Sequence, residues 1–140
     1  MTKILTFLDA NVLIAGTSGN VYAAQQLGRL LTDPNRAFVT NDFLELEVLP
    51  KKIRHKQQAS VQLCQSYFAG CVIRVATDNR LIEAAFAEAC RVGLSAIDAI
   101  HLVTAQVASA DEFITLEKPT KPMYQSKLVM VRHLSQIYTA

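Results

Sequence analysis

Apolar and polar positions alternate in blocks that change period along the chain. Ile4 to Leu8 is an apolar run of strand length, too short for a helix, and residues 3–8 are expected to form the first strand. Asp9 ends that run abruptly. Apolar positions resume at Val12, so residues 10–16 read as a short helix or turn closing on Gly16-Thr-Ser-Gly19. Val21, Ala24, Leu27 and Leu31 recur at helical spacing, which predicts a helix over 21–31 stopped by Asp33-Pro-Asn35. Ala37-Phe-Val39 is a second strand between turn formers. A helix then starts at Asn41, with Asp42 and Glu45 spaced as a capping box. Pro50 and the basic run behind it weaken this helix, and a longer one is expected from Gln57 to Ala69.

Cys71 to Val75 is rich in β-branched residues and predicts strand three. Asp78-Asn79 caps a helix from Arg80 to Val92, with Leu81, Ala85, Ala89 and Val92 on one face and Gly93 as its C-cap. Ser95-Ala-Ile-Asp98 opens a further helix over Ala96 to Ala108. Glu112-Phe-Ile-Thr115 reads as strand four, Pro119 and Pro122 make 117–125 a loop, and Lys127 to Val131 is strand five, with a short helix expected in the tail. Short strands alternating with helices predict an α/β fold. Its form is a three-layer α/β/α domain with a central parallel sheet of about five strands.

Composition narrows the class. The 140 residues fit one domain, 51% of them are apolar and only 19% are charged, so the chain is globular with a real core rather than disordered. A net charge of +2 neither demands nor excludes nucleic acid. Its distribution says more. Four of the fourteen basic residues are Lys51, Lys52, Arg54 and Lys56. Lys51, Lys52 and Arg54 are therefore candidates for holding a phosphate backbone, against the plainer reading of a solvated helix face. Cys64, Cys71 and Cys90 are odd in number and lack CxxC spacing, which argues against a disulfide framework or a zinc site and fits a reducing cytoplasm. Asp9 and Asn11 interrupt the apolar N-terminus, so it does not read as a signal peptide. No apolar run approaches the ~20 residues needed to cross a bilayer, and no membrane partner is expected.

Four acids stand at similar addresses. Asp9 ends strand one, Glu47 lies in the helix after strand two, Asp98 is in the first turn of its helix, and Glu117 follows strand four. In a parallel sheet the strand ends gather at one edge, so these carboxylates can meet although scattered in sequence. Two carboxylates ~4 Å apart at an effective dielectric of ~20 repel by about 4 kcal/mol. A cluster of this kind needs protons or a cation. An all-oxygen set suits Mg²⁺ or Mn²⁺ rather than zinc, and such ions support in-line displacement at a phosphodiester. Each acid also has a plainer reading. Asp9 could cap the next helix, Asp98 forms a Ser-x-x-Asp capping box with Ser95, and Asp78 is most simply an N-cap. Glu45 is explained by capping. His101, one turn after Asp98, is expected to pack beside the site rather than ligate, and Asp111 and Glu112 read as solvated acids at a strand entrance.

The segments Leu8-Asp-Ala-Asn-Val-Leu-Ile14, Leu46-Glu-Val-Leu49, Asp98-Ala-Ile-His-Leu-Val-Thr-Ala105 and Phe113-Ile-Thr-Leu-Glu117 resemble the PIN-domain family. They are most similar to the toxin component of bacterial VapBC-type toxin–antitoxin pairs, and they span nearly the whole chain in the family's order. The resemblance implies one PIN-like domain over residues 1–140 that cuts RNA with Mg²⁺ or Mn²⁺. Carried over, Asp9, Glu47 and Asp98 match the family's metal-binding acids and Glu117 stands where its final acid does. Asn11 matches the polar residue that steadies the first acid, and Thr115 the hydroxyl beside the last. RNA as substrate, a cognate antitoxin, a homodimer and a cytoplasmic location are implied in the same way. This chain departs from the pattern in having Thr115-Leu-Glu117 where Thr-x-Asp is usual, and Lys118-Pro-Thr-Lys-Pro122 where an aromatic often follows. Two other readings stand beside the nuclease. One is a PIN-like domain that binds RNA or protein without cutting. The other is a phosphotransferase of the haloacid-dehalogenase type, whose chemistry requires a second Asp where this chain has Asn11.

Overall fold

The computed structural model describes residues 2–138. Five strands, β1 (Ile4–Leu8), β2 (Arg36–Thr40), β3 (Ile73–Arg74), β4 (Glu112–Thr115) and β5 (Val131–His133), form one sheet in the order β3-β2-β1-β4-β5. Every pairing in it is parallel. Between the strands run α1 (Ala10–Gly16), α2 (Val21–Leu31), α3 (Asp42–Arg54), α4 (Gln58–Gly70), α5 (Asn79–Val92) and α6 (Ala96–Val107). Short 3₁₀ turns at Pro122–Gln125 and Leu134–Gln136 complete the C-terminal part.

The topology follows from handedness. Parallel strands need crossovers, and crossovers are right-handed, so the steps β1→β2→β3 in one direction place α1 to α4 on one face. The return from β3 to β4 places α5 and α6 on the other. The contacts agree, since α1 packs on α2 and α3, α3 on α4, and α5 on α6. Strand order reverses between β1 and β4. Their carboxyl ends frame the crevice where sheets of this type place ligands.

Burial on both faces explains why the central strands carry little polar surface. Phe7 and Phe113 are register partners and stack with ring centroids 5.1 Å apart and planes 6° from parallel. Leu8 and Ile114, the next register pair, are likewise fully buried. Asp78 caps α5 by accepting from Leu81 N–H, Ser95 caps α6 by accepting from Asp98 N–H, and Gly93 ends α5 at φ 78°, a conformation that costs glycine little.

Several sequence expectations are corrected. The helix from Asn41 does not give way at Pro50 but runs through it to Arg54. Pro50 forfeits only the hydrogen bond to Leu46 carbonyl, and both residues face solvent, so water takes that acceptor. The helix ends instead where Lys56 adopts φ 54° and Gln57 N–H bonds back to Lys52 carbonyl. The Asp42–Glu45 capping box does not form. Asn41 is the cap, accepting from Leu44 N–H at 2.8 Å, while Asp42 and Glu45 both pair with Arg74 of β3.

Strand three is two residues rather than five, and strand five lies at 131–133 rather than 127–131. Ser126 holds the earlier segment in a turn by donating to Glu88 of α5 and accepting from Leu128 N–H. Glu112 is not a solvated acid. It is 3% exposed and accepts from Thr6 Oγ1 (2.7 Å), Arg36 Nε (2.9 Å) and Arg132 Nη1 (3.0 Å), so one carboxylate ties four strands together. Asp111 is exposed as expected, but its side chain accepts from Leu5 N–H at 2.8 Å and so fixes the entrance to β1.

Candidate active site

Asp9 is the residue at which β1 stops. Its backbone N–H still bonds to Ile114 carbonyl of β4 at 2.9 Å, which seats it at the crevice between the two central strands. Its side chain is only 5% exposed, and both oxygens are engaged. Oδ1 accepts from Ala10 N–H (2.9 Å) at the start of α1, and Oδ2 accepts from the Thr115 hydroxyl (2.8 Å) at the end of β4. The capping reading of Asp9 is therefore realised, and the same carboxylate stands at the crevice between the two central strands.

Thr115 is oriented in turn. Its Oγ1 accepts from Asn11 Nδ2 at 3.3 Å and from Glu117 N–H at 3.0 Å, which leaves its own proton for Asp9. Asn11 Oδ1 accepts from Leu116 N–H at 3.1 Å, so Asn11 staples α1 to the strand end that presents Thr115. Asn11 thus acts on Asp9 through Thr115 and not directly.

Glu47 projects from the second turn of α3 with its side chain 34% exposed, and its Oε1 meets His101 Nε2 of α6. His101 is fully buried against Phe7, ring centroids 5.1 Å apart. Asp98 sits one turn earlier on α6. Glu117 lines a 170 Å³ cavity together with Asp98, Ser95, Lys121 and Met123. Tyr124 donates its hydroxyl to Glu117 carbonyl at 2.8 Å and so anchors the loop after β4 from its far side.

Burial raises the Asp9 carboxyl from 3.8 to about 6, against the lowering effect of the Thr115 hydrogen bond, and the Asp98 charge adds to the rise. Burial also raises Asp98, and the carboxylates of Glu117 and Glu47 push the same way. The Tyr124 hydroxyl is raised by burial first and then by the charges of Glu117 and Asp9. Asp98 thus stands between the others, reached by the charges of Glu117 and Glu47 and itself acting on Asp9.

The donor set is all oxygen, its innermost carboxyl resists ionisation because burial strips it of water, and both properties suit a hard divalent cation. Among the described residues no three His, Cys, Asp or Glu stand close enough to form a ready-made cage.

The basic run divides. Lys51 and Arg54 are exposed on α3, but Lys52 is 4% exposed and donates its ammonium to Ser18 Oγ at 2.8 Å, tying α3 to the α1–α2 connection. Lys52 is thereby removed from any phosphate-facing set. No sequence pattern marks Asn41, Thr104, Lys121 or Tyr124 for the neighbourhood of the site. Only Asn41 carried a signal, as a possible helix cap; the other three depend on packing between elements.

No curated protein matches the chain. Among solved structures it is similar to a toxin–antitoxin complex from Klebsiella pneumoniae, with 24% identity over 89% of this chain and 95% of that one, and a TM-score of 0.64. It is also similar to VapBC2 from Rickettsia felis bound to a DNA fragment from their promoter, with 9% identity over 93% and 98% of the two chains, and a TM-score of 0.67. At such identities the likeness is one of fold. The family model described as the PIN domain matches residues 6–118, with Asp9 near one end of the match and Glu117 near the other, and on that match the chain belongs to the PIN-domain family.

Proposed function

We propose that this protein is a Mg²⁺- or Mn²⁺-dependent ribonuclease of the VapC toxin type, acting in the cytoplasm as one domain over residues 1–140. The observation that carries this reading is the placing of Asp9, Glu47, Asp98 and Glu117 around the carboxyl edge of the sheet, where the charges of Glu117 and Glu47 reach Asp98 and that of Asp98 reaches the buried Asp9. Those four residues would hold the cation. Bound there, it would supply the positive charge that stabilises the attacking and leaving oxygens of an in-line phosphodiester displacement.

The chain's own residues prepare that step. Ala10 N–H and the Thr115 hydroxyl fix the Asp9 carboxylate in one orientation, and Asn11 and Glu117 N–H fix Thr115. Lys51 and Arg54 stand exposed at the end of α3, where they attract a phosphate backbone. Lys121 lies in the cavity wall beside Asp98 and Glu117 and offsets their repulsion of an anionic substrate.

A toxin of this type needs an antitoxin, and both similar structures are described as toxin–antitoxin complexes or VapBC. An apolar groove of 240 Å³ between α1, α2 and α4, lined by Leu13, Leu27, Leu31, Leu63 and Tyr67, offers room for a partner's apolar side chains. A homodimer belongs to the same reading. Incubating the protein with single-stranded and structured RNA, in Mn²⁺ and in EDTA, tests the activity. Cleavage that requires Mn²⁺ and disappears in Asp98→Asn supports it, and intact RNA in Mn²⁺ refutes it. Glu117 in place of Asp favours a second reading, a PIN domain that binds RNA without cutting, and retention of RNA without cleavage in the same assay would identify it.

A further inference from the structure

Glu47 is the only one of the four acids that projects from mid-helix, more than a third of its side chain is open to solvent, and its side chain has three free torsions. Behind it lies a chain of fully buried polar groups, His101, Asn41 and Thr104, that belongs to none of the roles above. We propose that this chain is a positioning relay: Asn41 selects the ring tautomer of His101 that donates to Glu47, and His101 thereby orients Glu47 without ligating a cation itself. The inference rests on the reading of Glu47 as a cation-holding acid.

The proton assignment follows from donors and acceptors alone. Asn41 Oδ1 accepts from Leu44 N–H at 2.8 Å as the cap of α3, which fixes the amide's orientation because the flipped form would set two donors against each other. Asn41 Nδ2 therefore faces the interior. One of its hydrogens goes to Thr104 Oγ1 at 2.6 Å. Thr104 can accept it because its own hydroxyl donates to Ile100 carbonyl at 2.8 Å. The other hydrogen goes to His101 Nδ1 at 3.2 Å.

Nδ1 must then carry the lone pair, and the ring's proton lies on Nε2, pointing at Glu47 Oε1. A nitrogen that donates has no electrons for a cation, so His101 cannot also be a ligand. Phe7 packs against the ring and limits its rotation. Every member is satisfied. The one buried side-chain polar atom without a partner among the described residues is Tyr67 Oη, which lies elsewhere. The relay spends Glu47 Oε1 on His101 and leaves Oε2 for a cation. In this way an exposed, flexible acid becomes a preorganised one.

Two variants and one spectrum test this on the full chain. Gln at 101 can donate through its amide to Glu47 and accept from Asn41, whereas Leu fills similar space and can do neither. Mn²⁺ affinity, read from the free-ion resonance signal, should change by less than about threefold in His101→Gln. Partner deletions behind a ligand typically cost 10–100-fold, and His101→Leu should weaken affinity by about that factor. In cleavage assays His101→Leu should lower kcat with little change in KM. Equal losses in both variants would mean that the imidazole itself is the ligand, and no loss in either would remove the relay's role.

Should His101→Leu fail to fold, the wild-type ¹⁵N spectrum still decides. The His101 resonances, assigned by their absence in His101→Gln, must show a protonated Nε2 and an unprotonated Nδ1 at neutral pH. A protonated Nδ1 overturns the proposal. A wild-type chain that binds no Mn²⁺ overturns the reading of the site and the purpose of the relay together, whereas a wrong tautomer overturns the relay alone.

Discussion

Asp9→Asn removes a charge from one of the most buried polar positions in the chain while keeping the side chain's shape. The wild-type carboxyl ionises at about 6 in the folded protein, against an ordinary value of 3.8, chiefly because burial strips it of water. A rise of roughly two units, at 1.36 kcal/mol each, makes the ionised form about 3 kcal/mol dearer to hold folded than unfolded. The sign is that of an acid with a raised folded value. The stabilisation is fully present below 3.8, declines as pH rises through about 6, and is absent at neutral pH.

Asparagine avoids the charge but sets an amide against the Thr115 hydroxyl, losing one hydrogen bond worth about 1–1.5 kcal/mol. The variant should therefore be more stable at pH 7.5 by about 1–2 kcal/mol, or roughly 3–7 °C in Tm for a chain of this size. At pH 4 the gain should nearly vanish, because the wild-type carboxyl is then protonated in the folded state. Urea titrations and thermal melts in EDTA at the two pH values measure this. In Mn²⁺ the order should reverse, since a cation at 100 times its Kd adds about 2.7 kcal/mol to the wild type alone. An asparagine variant less stable than wild type in EDTA at pH 7.5, or a gain that is the same at pH 4, would refute the account of Asp9 as a carboxylate held ionised at a cost.

Other outcomes follow from the same geometry. Glu117 has its N–H on Thr115 and its carbonyl on Tyr124, so its backbone is fixed and the side chain must absorb the ~1.5 Å by which Glu exceeds Asp. Cleavage should then be weak in Mg²⁺ and better in Mn²⁺, equal or faster in Glu117→Asp, and far less impaired by Glu117→Ala than by Asp98→Asn; equal damage from the last two would make Glu117 a full ligand. Neutralising Lys51 and Arg54 should weaken RNA binding across sequences and flatten the salt dependence by about 0.7 per lost phosphate contact, while an unchanged slope in filter binding would dismiss them. Glu112→Ala takes the Nε partner from buried Arg36, which keeps Asp33, and leaves the Thr6 hydroxyl without its acceptor; urea unfolding should show a loss of about 2–4 kcal/mol, with a loss under 1 kcal/mol counting against the four-strand tie.

Periodicity alone placed the helices and strands in order, because burial on one or two faces leaves a repeat of 3.6 or an unbroken apolar run in the chain. It placed Asp9 too, since a polar residue that ends a buried strand interrupts that run, whereas Thr115 was implied for the site only by the family resemblance. The ends of elements were less legible. Pro50 looks like a break until one sees that Leu46 carbonyl faces water, and Lys127 to Val131 reads as a strand until Ser126 is seen bound to Glu88. The polar partnerships were not legible at all. Glu112 with Arg36, Lys52 with Ser18, and Glu47 with His101 and Asn41 join residues 34 to 76 positions apart, and no local pattern distinguishes them from solvated charges. A hydrogen bond requires direction and distance between two groups, and only the packed sheet and helices fix both. Sequence thus determined which side chains could do chemistry, and tertiary structure decided which of them face one another.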